Sequence, residues 1–294
     1  MTRFRVVHRT EYAYGRSMAD GFTSVHLAPR GTPAQVVHSV ALRIEPQPDE
    51  MEHVTDQFGN AVTLLAVHRP HTALLLESVI EVDVSVPPTP VADTPWEAVV
   101  AAAAGASGAL ACDLGPYLAH TDQTPFVGGV SGLPSLTAPE FTPGRGVVEA
   151  TRALCSRIFS EFRFEPGFTD VTTPLAAVLA ERRGVCQDFA HVTVAALRSV
   201  GLPARYVSGY IETAPPPGEP KLVGVDASHA WCAVWAGEAG WLDLDPTNDQ
   251  MPPLRHITVG WGRDYHDVTP VRGVVIGSGG GQTLSVAVDV AAIG

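Results

Sequence analysis

The sequence predicts an α+β protein in which helices pack on an antiparallel sheet, preceded by an N-terminal β-sandwich-like module. Three observations carry that expectation. Residues 1–90 alternate apolar and polar side chains at strand period, helical periodicity is confined to the middle of the chain, and the strand pattern returns after residue 203. Helices grouped first and strands afterwards give segregated layers rather than alternating βαβ units.

Within the first ninety residues "FRVVH", "VVHSVALRIEP" and "AVTLLAVH" read as strands, and "QFGNAV" carries a hairpin-type turn at Gly59 and Asn60. "SVIEVDVSV" sets Val79, Glu81 and Asp83 against Ile80, Val82 and Val84, until Pro87 and Pro88 stop it. Thr94 followed by Pro95 marks an N-cap with proline at the first helical position, opening a helix through the alanine run 101–104. Residues 106–145 are rich in Gly, Pro, Ser and Thr, so an irregular connector is expected there. The expected division is a β module at 1–90, a helical and irregular connector at 91–145, and a catalytic domain at 146–294.

A helix over 147–160 places Val147, Thr151, Leu154, Cys155 and Ile158 on one stripe. The next runs from Pro174, capped by Thr173, to Arg183, with Gly184 in the left-handed closing position. A third opens at about Cys186, repeats Phe189, Val192, Thr193, Ala196, Leu197 and Val200 at helical spacing, and ends at "GLP". The strands "ARYVSGYI", "HAWCAVW", "WLDLD" and "TLSVAVDV" follow.

Composition narrows the function. The chain has 294 residues, 45% hydrophobic and 17% charged, with a net charge of −12, which argues against nucleic acid or an anionic membrane as partner. Its four cysteines, Cys112, Cys155, Cys186 and Cys232, form no C-x-x-C pair and suit free thiols in a reducing compartment. The N-terminus shows no uninterrupted apolar stretch of signal-peptide type, and no apolar run reaches the roughly 18 residues of a membrane span. A cytoplasmic location is the resulting expectation.

The stretch "RRGVCQDFAH" carries the chemistry, because Cys186 opens a helix directly after a glycine. Backbone N–H groups at a helix N-terminus favour a thiolate, and a thiol nucleophile then needs a base and a group that orients the base. If residues 236–240 form a hairpin loop, Trp235 pairs with Trp241 and Asp243 faces Ala233. Asp245 is then diagonal to His229, about 7–8 Å between backbones and within side-chain reach. Asp243 is the rival, and a one-residue slip would exchange the two.

Each of these residues has a duller reading. Cys186 could be a packed thiol and His229 a satisfied sheet histidine. Asp188 and His191, one helical turn apart, could hydrogen-bond on the helix flank. Cys112, Cys155 and Cys232 suit core or loop positions. His256, Asp264 and His266 could suggest a metal group, but no zinc-ligand motif accompanies them. "GSGGG" at 277–281 reads as a flexible turn, and neither a Walker A sequence nor G-x-S-x-G occurs.

Taken together, "GVCQDFAHVTVAALRSVGLPARYVSGY", "DASHAW" and "GWLDLDPTN" resemble the transglutaminase-like superfamily of papain-type thiol enzymes. The likeness extends to its bacterial branch of cysteine-protease-like proteins. Residues 3–85, with "VVHRTEYAY" and "VHLAPR", resemble that branch's N-terminal β region, and "GRDYHDVTPVRG" its C-terminal segment. The resemblance implies a papain-like α+β core, with Cys186 as nucleophile, His229 as general base and then acid, and Asp245 as orienter. Because these three residues supply nucleophile, base and orienter and no credible ligand cluster accompanies them, no cofactor and no metal are expected. The expected activity is acyl chemistry on an amide through a cysteine thioester, with a peptide or protein amide as substrate. Hydrolysis is the leading expectation; an amine-accepting acyltransferase and a non-catalytic binding module are the alternatives. No acidic tract that could hold a lysine ammonium adjoins Cys186 or His229, the nearest carboxylates being the single residues Asp188 and Asp226.

Overall fold

The computed structural model describes residues 1–86, 93–125, 132–213, 228–251, 255–277 and 280–293. Pro87, Pro88 and Asp226 lie outside them, as do Ser278 and Gly279 of the expected glycine turn.

Strands β1 (Thr2–Val25), β2 (Gln35–Glu45), β3 (Glu50–Thr55), β4 (Ala61–Val67) and β5 (His71–Val84) run in the order β2-β5-β1-β4-β3. The 24-residue β1 changes partners along its length. Its first half pairs with β5, the register shifts between Ala13 and Met18, and its last residues pair with β4. The sheet thereby curls over a core of Val25, Leu65, Leu74 and Leu76. Strand β5 buries alternate residues, as its sequence pattern requires of a strand with one face inward. Gly59 takes a positive φ of 78° in the expected turn, and Asp56 accepts the N–H groups of Phe58 and Asn60 there, both at 2.8 Å.

The helical layer consists of α1 (Trp96–Ala104), α2 (Gly108–Leu114), α3 (Leu133–Thr137), α4 (Val147–Glu161), α5 (Leu175–Glu181) and α6 (Cys186–Ser199). Helix α4 matches its expected span, and its stripe of Val147, Thr151, Leu154, Cys155 and Ile158 is buried. Helix α1 starts at Trp96 rather than at Pro95, because Pro95 keeps a non-helical ψ of 133° as the N-cap and bridges to Gly146, while the Thr94 carbonyl accepts the Val147 N–H at 2.8 Å. The expected connector is folded along much of its length. Leu114, Leu133, Leu136 and Phe141 belong to the main core. Helices α2 and α3 are too short to display a period in sequence, and their prolines and glycines signal only their ends.

Two short strands, β6 (Arg163–Phe164) and β7 (Arg183–Gly184), pair in parallel just before α6. The left-handed residue that closes α5 is Arg182, with φ of 50°, not Gly184. Helix α6 buries every residue from Asp188 to Arg198, more than the single stripe expected, because it is enclosed by helices on one side and a sheet on the other.

That sheet has four antiparallel strands in the order β10-β9-β8-β11: β8 (Ala204–Ile211), β9 (Ser228–Trp235), β10 (Trp241–Leu244) and β11 (His256–Gly262). Ala230, Cys232 and Val234 of β9 face α6, while Trp231 and Ala233 pack on the other side with Val207. The last strands, β12 (Val271–Gly277) and β13 (Gln282–Ala292), both pair with β1. The division expected from sequence assigned them to the 146–294 unit; their hydrogen bonds place them in the N-terminal sheet, which they complete to seven strands. Alternation identifies a strand but not its partner, and a long unpaired edge of β1 is what the chain returns to cover.

The two sheets are locked together at β11. The Gln35 side-chain amide donates to the Thr258 carbonyl at 2.7 Å and accepts its N–H at 2.8 Å. Asn60 does the same to Trp261, at 2.9 and 3.0 Å. Each amide satisfies an edge-strand peptide as another strand would. Tyr210, Ile257 and Val259 add an apolar contact with Phe4, Val6 and Ile80. Among the described residues no single helix is long and apolar enough to cross a membrane.

Candidate active site

Cys186 is the first residue of α6 and is partly exposed. What holds it there is Asp188, whose carboxylate turns back to accept the Val185 N–H at 2.7 Å and the Thr169 hydroxyl at 2.6 Å. This is the reciprocal half of a capping box, and it supplies the role for Asp188 that sequence reasoning lacked. Asp188 does not pair with His191, which instead accepts the Tyr265 N–H at 3.2 Å and packs at a tilt against the Tyr206 ring. Burial raises the Asp188 carboxyl above the ordinary carboxylate range, against the pull of these hydrogen bonds. Gly184 is needed for the same cap. A Cβ there would lie 2.5 Å from Asp188 Oδ2 and 2.8 Å from its Cβ. Gly184→Ala is therefore expected to destabilise the fold by about 1–3 kcal/mol, read as a lower urea midpoint at unchanged slope.

The hairpin register follows the expected pairing, Trp241 with Trp235 and Asp243 with Ala233. Asp245, just past β10, accepts from His229 Nε2 at 2.8 Å through Oδ2 and is fully buried. Asp243 accepts the Trp231 indole N–H at 3.1 Å instead. The remaining oxygen of Asp245 receives the backbone N–H groups of Thr247 at 2.9 Å and Asn248 at 3.3 Å. The Asn248 amide donates to Oδ2 at 2.7 Å.

A second histidine reaches the same oxygen, His256 Nε2 lying 2.8 Å from Asp245 Oδ2. Sequence reasoning weighed His256 only with Asp264 and His266, from which the structure separates it: Asp264 caps the N–H of His266 at 2.8 Å. No local signal marks its role, since β11 and β9 are separated by β8. Gly209 of β8, paired with His229, makes the meeting possible. A Cβ there would lie 2.0 Å from the Ile257 carbonyl oxygen and 2.7 Å from the Trp231 ring. Over that bare position the His229 and His256 rings approach to 5.4 Å.

The hydrogen bonds fix the tautomers. A carboxylate only accepts, so each imidazole presents a protonated Nε2 to Asp245. His229 is left with Nδ1 for Cys186, which lies close enough to favour its protonated form. Burial disfavours the imidazolium, but the interactions with Asp245 and Cys186 outweigh it and raise His229 to about 10. Burial likewise opposes ionisation of Asp245, yet the two histidines hold it well below the usual carboxylate range. His256 is lowered by its burial despite the same carboxylate. The arrangement can thus hold the proton of the thiol on His229, with a fixed anion behind the ring.

His229, Asp245 and His256 also bring three candidate ligand atoms within 4.8 Å of one another. Both Nε2 atoms are spent as donors to Asp245, so a metal would have to displace the protons that organise the cluster. Incubation with EDTA is expected to leave activity unchanged, and a loss restored by zinc or calcium would contradict that.

Comparison with known proteins agrees with this architecture. Residues 135–246 match the transglutaminase-like superfamily, and residues 4–83 match the bacterial transglutaminase-like N-terminal region. An uncharacterized protein of Mycobacterium tuberculosis is 41% identical over 297 residues, spanning 98% of this chain and 92% of the relative. The chain belongs to the transglutaminase-like superfamily. The solved structure of "a Putative Cysteine Protease from Cytophaga hutchinsonii" covers all of this chain, and the chain covers 91% of it, with a TM-score of 0.73 at 20% identity, a likeness of fold. Over a shorter stretch, 109 residues are 32% identical to the protein-glutamine gamma-glutamyltransferase of Pseudomonas aeruginosa, 34% of this chain and 16% of that one. The transglutaminase-like match runs from α3 through β10 and includes Cys186, His229 and Asp245.

Proposed function

We propose that this transglutaminase-like protein is a thiol enzyme that hydrolyses a peptide or isopeptide-type amide through a cysteine thioester. The observation that carries the reading is the buried Asp245–His229 hydrogen bond of 2.8 Å, with Cys186 on the other side of the ring at the start of α6. Cys186 attacks the amide carbonyl as thiolate, the proton having passed to His229 Nδ1. The Cys186 backbone N–H, at the helix start and without a partner among the described residues, is one donor for the resulting oxyanion. His229 then protonates the departing amine, and a water activated by the same nitrogen releases the acid. Asp245 keeps the ring in the tautomer and orientation that both steps need.

Transfer to an amine is the second reading, favoured by the stretch shared with the Pseudomonas aeruginosa gamma-glutamyltransferase. The chemistry up to the thioester is common to both, and the outcome depends on what reaches the thioester. Transfer against water near 55 M needs a site that concentrates and orients the amine. Asp188, the described carboxylate nearest the thiol in sequence, is committed to Val185 and Thr169. Hydrolysis is therefore the expected outcome. Incubation with a cleavable amide and excess labelled primary amine tests it: free acid as main product supports hydrolysis, and dominant amine incorporation assigns a transferase.

A further inference from the structure

A cavity of about 630 Å³ lies between the two sheets, walled by Arg30, Arg205, Trp231, Trp241, Trp261 and His256. Cys186 is not among its walls. The cavity adjoins the Trp231 side of β9, away from the body of α6, so a ligand could occupy it whether or not the thiol is a nucleophile.

The chain buries two arginines near it and treats them differently. Arg198 spends its guanidinium on the carbonyls of Tyr117, Ala119, Ala204 and Arg263 and on the Thr124 hydroxyl, at 2.7–3.1 Å. It is a structural clamp. Arg205 is 7% exposed and has no hydrogen bond from Nε to any described residue. Its guanidinium is instead sandwiched face-on, 3.5 Å from the Trp261 ring and 4.3 Å from that of Trp241. Arg30 covers the other face of Trp261 at 3.4 Å. Stacking satisfies the faces of a guanidinium but leaves its in-plane N–H donors at the edge. Burying a cation without hydrogen-bonded compensation is costly, and burial already lowers Arg205 to about 10. Asp243 is the nearby counter-charge, but its Oδ1 is taken by Trp231 and its carboxyl is raised by burial. At the far end, His256 Nδ1 is also buried without a partner among the described residues.

We propose that this cavity binds a small monocarboxylate with an apolar body, its carboxylate held edge-on by Arg205 and its body lying along the indoles. A guanidinium edge matches a carboxylate with two parallel N–H···O bonds. A guanidinium beside Asp243 fits a single negative charge better than a phosphate dianion: Arg30, whose Nε also lacks a partner among the described residues, already donates through Nη1 to the Phe58 carbonyl and to Asn60. Aromatic walls supply the apolar area typical of a small-molecule site.

Isothermal titration calorimetry of the full chain tests this with hexanoate, its neutral isostere hexanamide, and hexyl phosphate. Saturable binding of one hexanoate, about tenfold or more tighter than hexanamide, is expected. Arg205→Gln should abolish that preference while Arg30→Gln only weakens it. Should Arg205→Gln fail to fold, the three probes on the unaltered chain still decide. Equal affinity for hexanoate and hexanamide, no saturable hexanoate binding, or a preference for hexyl phosphate would each overturn the proposal, as would a folded Arg205→Gln protein that still discriminates.

Discussion

Cys186→Ala is expected to abolish turnover, a loss on the order of 10⁵–10⁶ of the kind that removing a nucleophile produces elsewhere, while leaving the unfolding midpoint close to that of the parent. The side chain is only partly buried, and the cap that starts α6 runs through Asp188 and Val185 backbone, not through the thiol. A single-turnover assay with an ester or amide should show no acyl-enzyme in the variant. Cys112→Ala, an exposed position, should change neither quantity.

The second large effect is expected at the acid. Asp245→Asn should lower turnover by roughly 10²–10⁴, because the imidazole loses its anionic orienter. It should also destabilise the fold by about 1–3 kcal/mol. Oδ2 accepts from two histidines and Asn248, and Oδ1 from two backbone N–H groups, so either placement of an amide NH₂ sets donor against donor. The stability effect has a definite pH dependence. A carboxyl lowered in the folded state stabilises above its unfolded value and ceases to do so as pH falls. The gap between parent and variant should therefore narrow in acid. Asp243→Asn should lower turnover much less, since an amide oxygen still accepts from Trp231 and His229 keeps its anionic partner. Assays well below both unfolding midpoints separate the catalytic loss from the structural one.

Local interactions were legible in the sequence and distant ones were not. The pairing of Trp235 with Trp241 was readable because a hairpin register depends only on loop length and alternation, and from it the choice of Asp245 over Asp243 as partner of His229 followed. The span of α4 was readable because it is long and amphipathic. The sequence position of Gly184 suggests a helix terminator, whereas its actual importance, the space that Asp188 occupies, is a tertiary fact. His256 was out of reach, since its bond to Asp245 depends on the strand order β9-β8-β11 and on a glycine in the intervening strand. The return of β12 and β13 to β1 was hidden likewise, because strand patterning carries no information about partners some 270 residues away.

The most direct test of the Cys186–His229–Asp245 site is the selectivity of alkylation among the four cysteines. Cys155 and Cys232 are buried, and burial raises both thiols well above the ordinary value. They should not react in the folded protein. His229, raised to about 10, remains a cation beside Cys186 through neutral pH. Limiting iodoacetamide at pH 6, followed by peptide mapping, should modify Cys186 well before exposed Cys112. His229→Asn should erase the preference. Slow labelling of all four cysteines at similar rates would contradict the account.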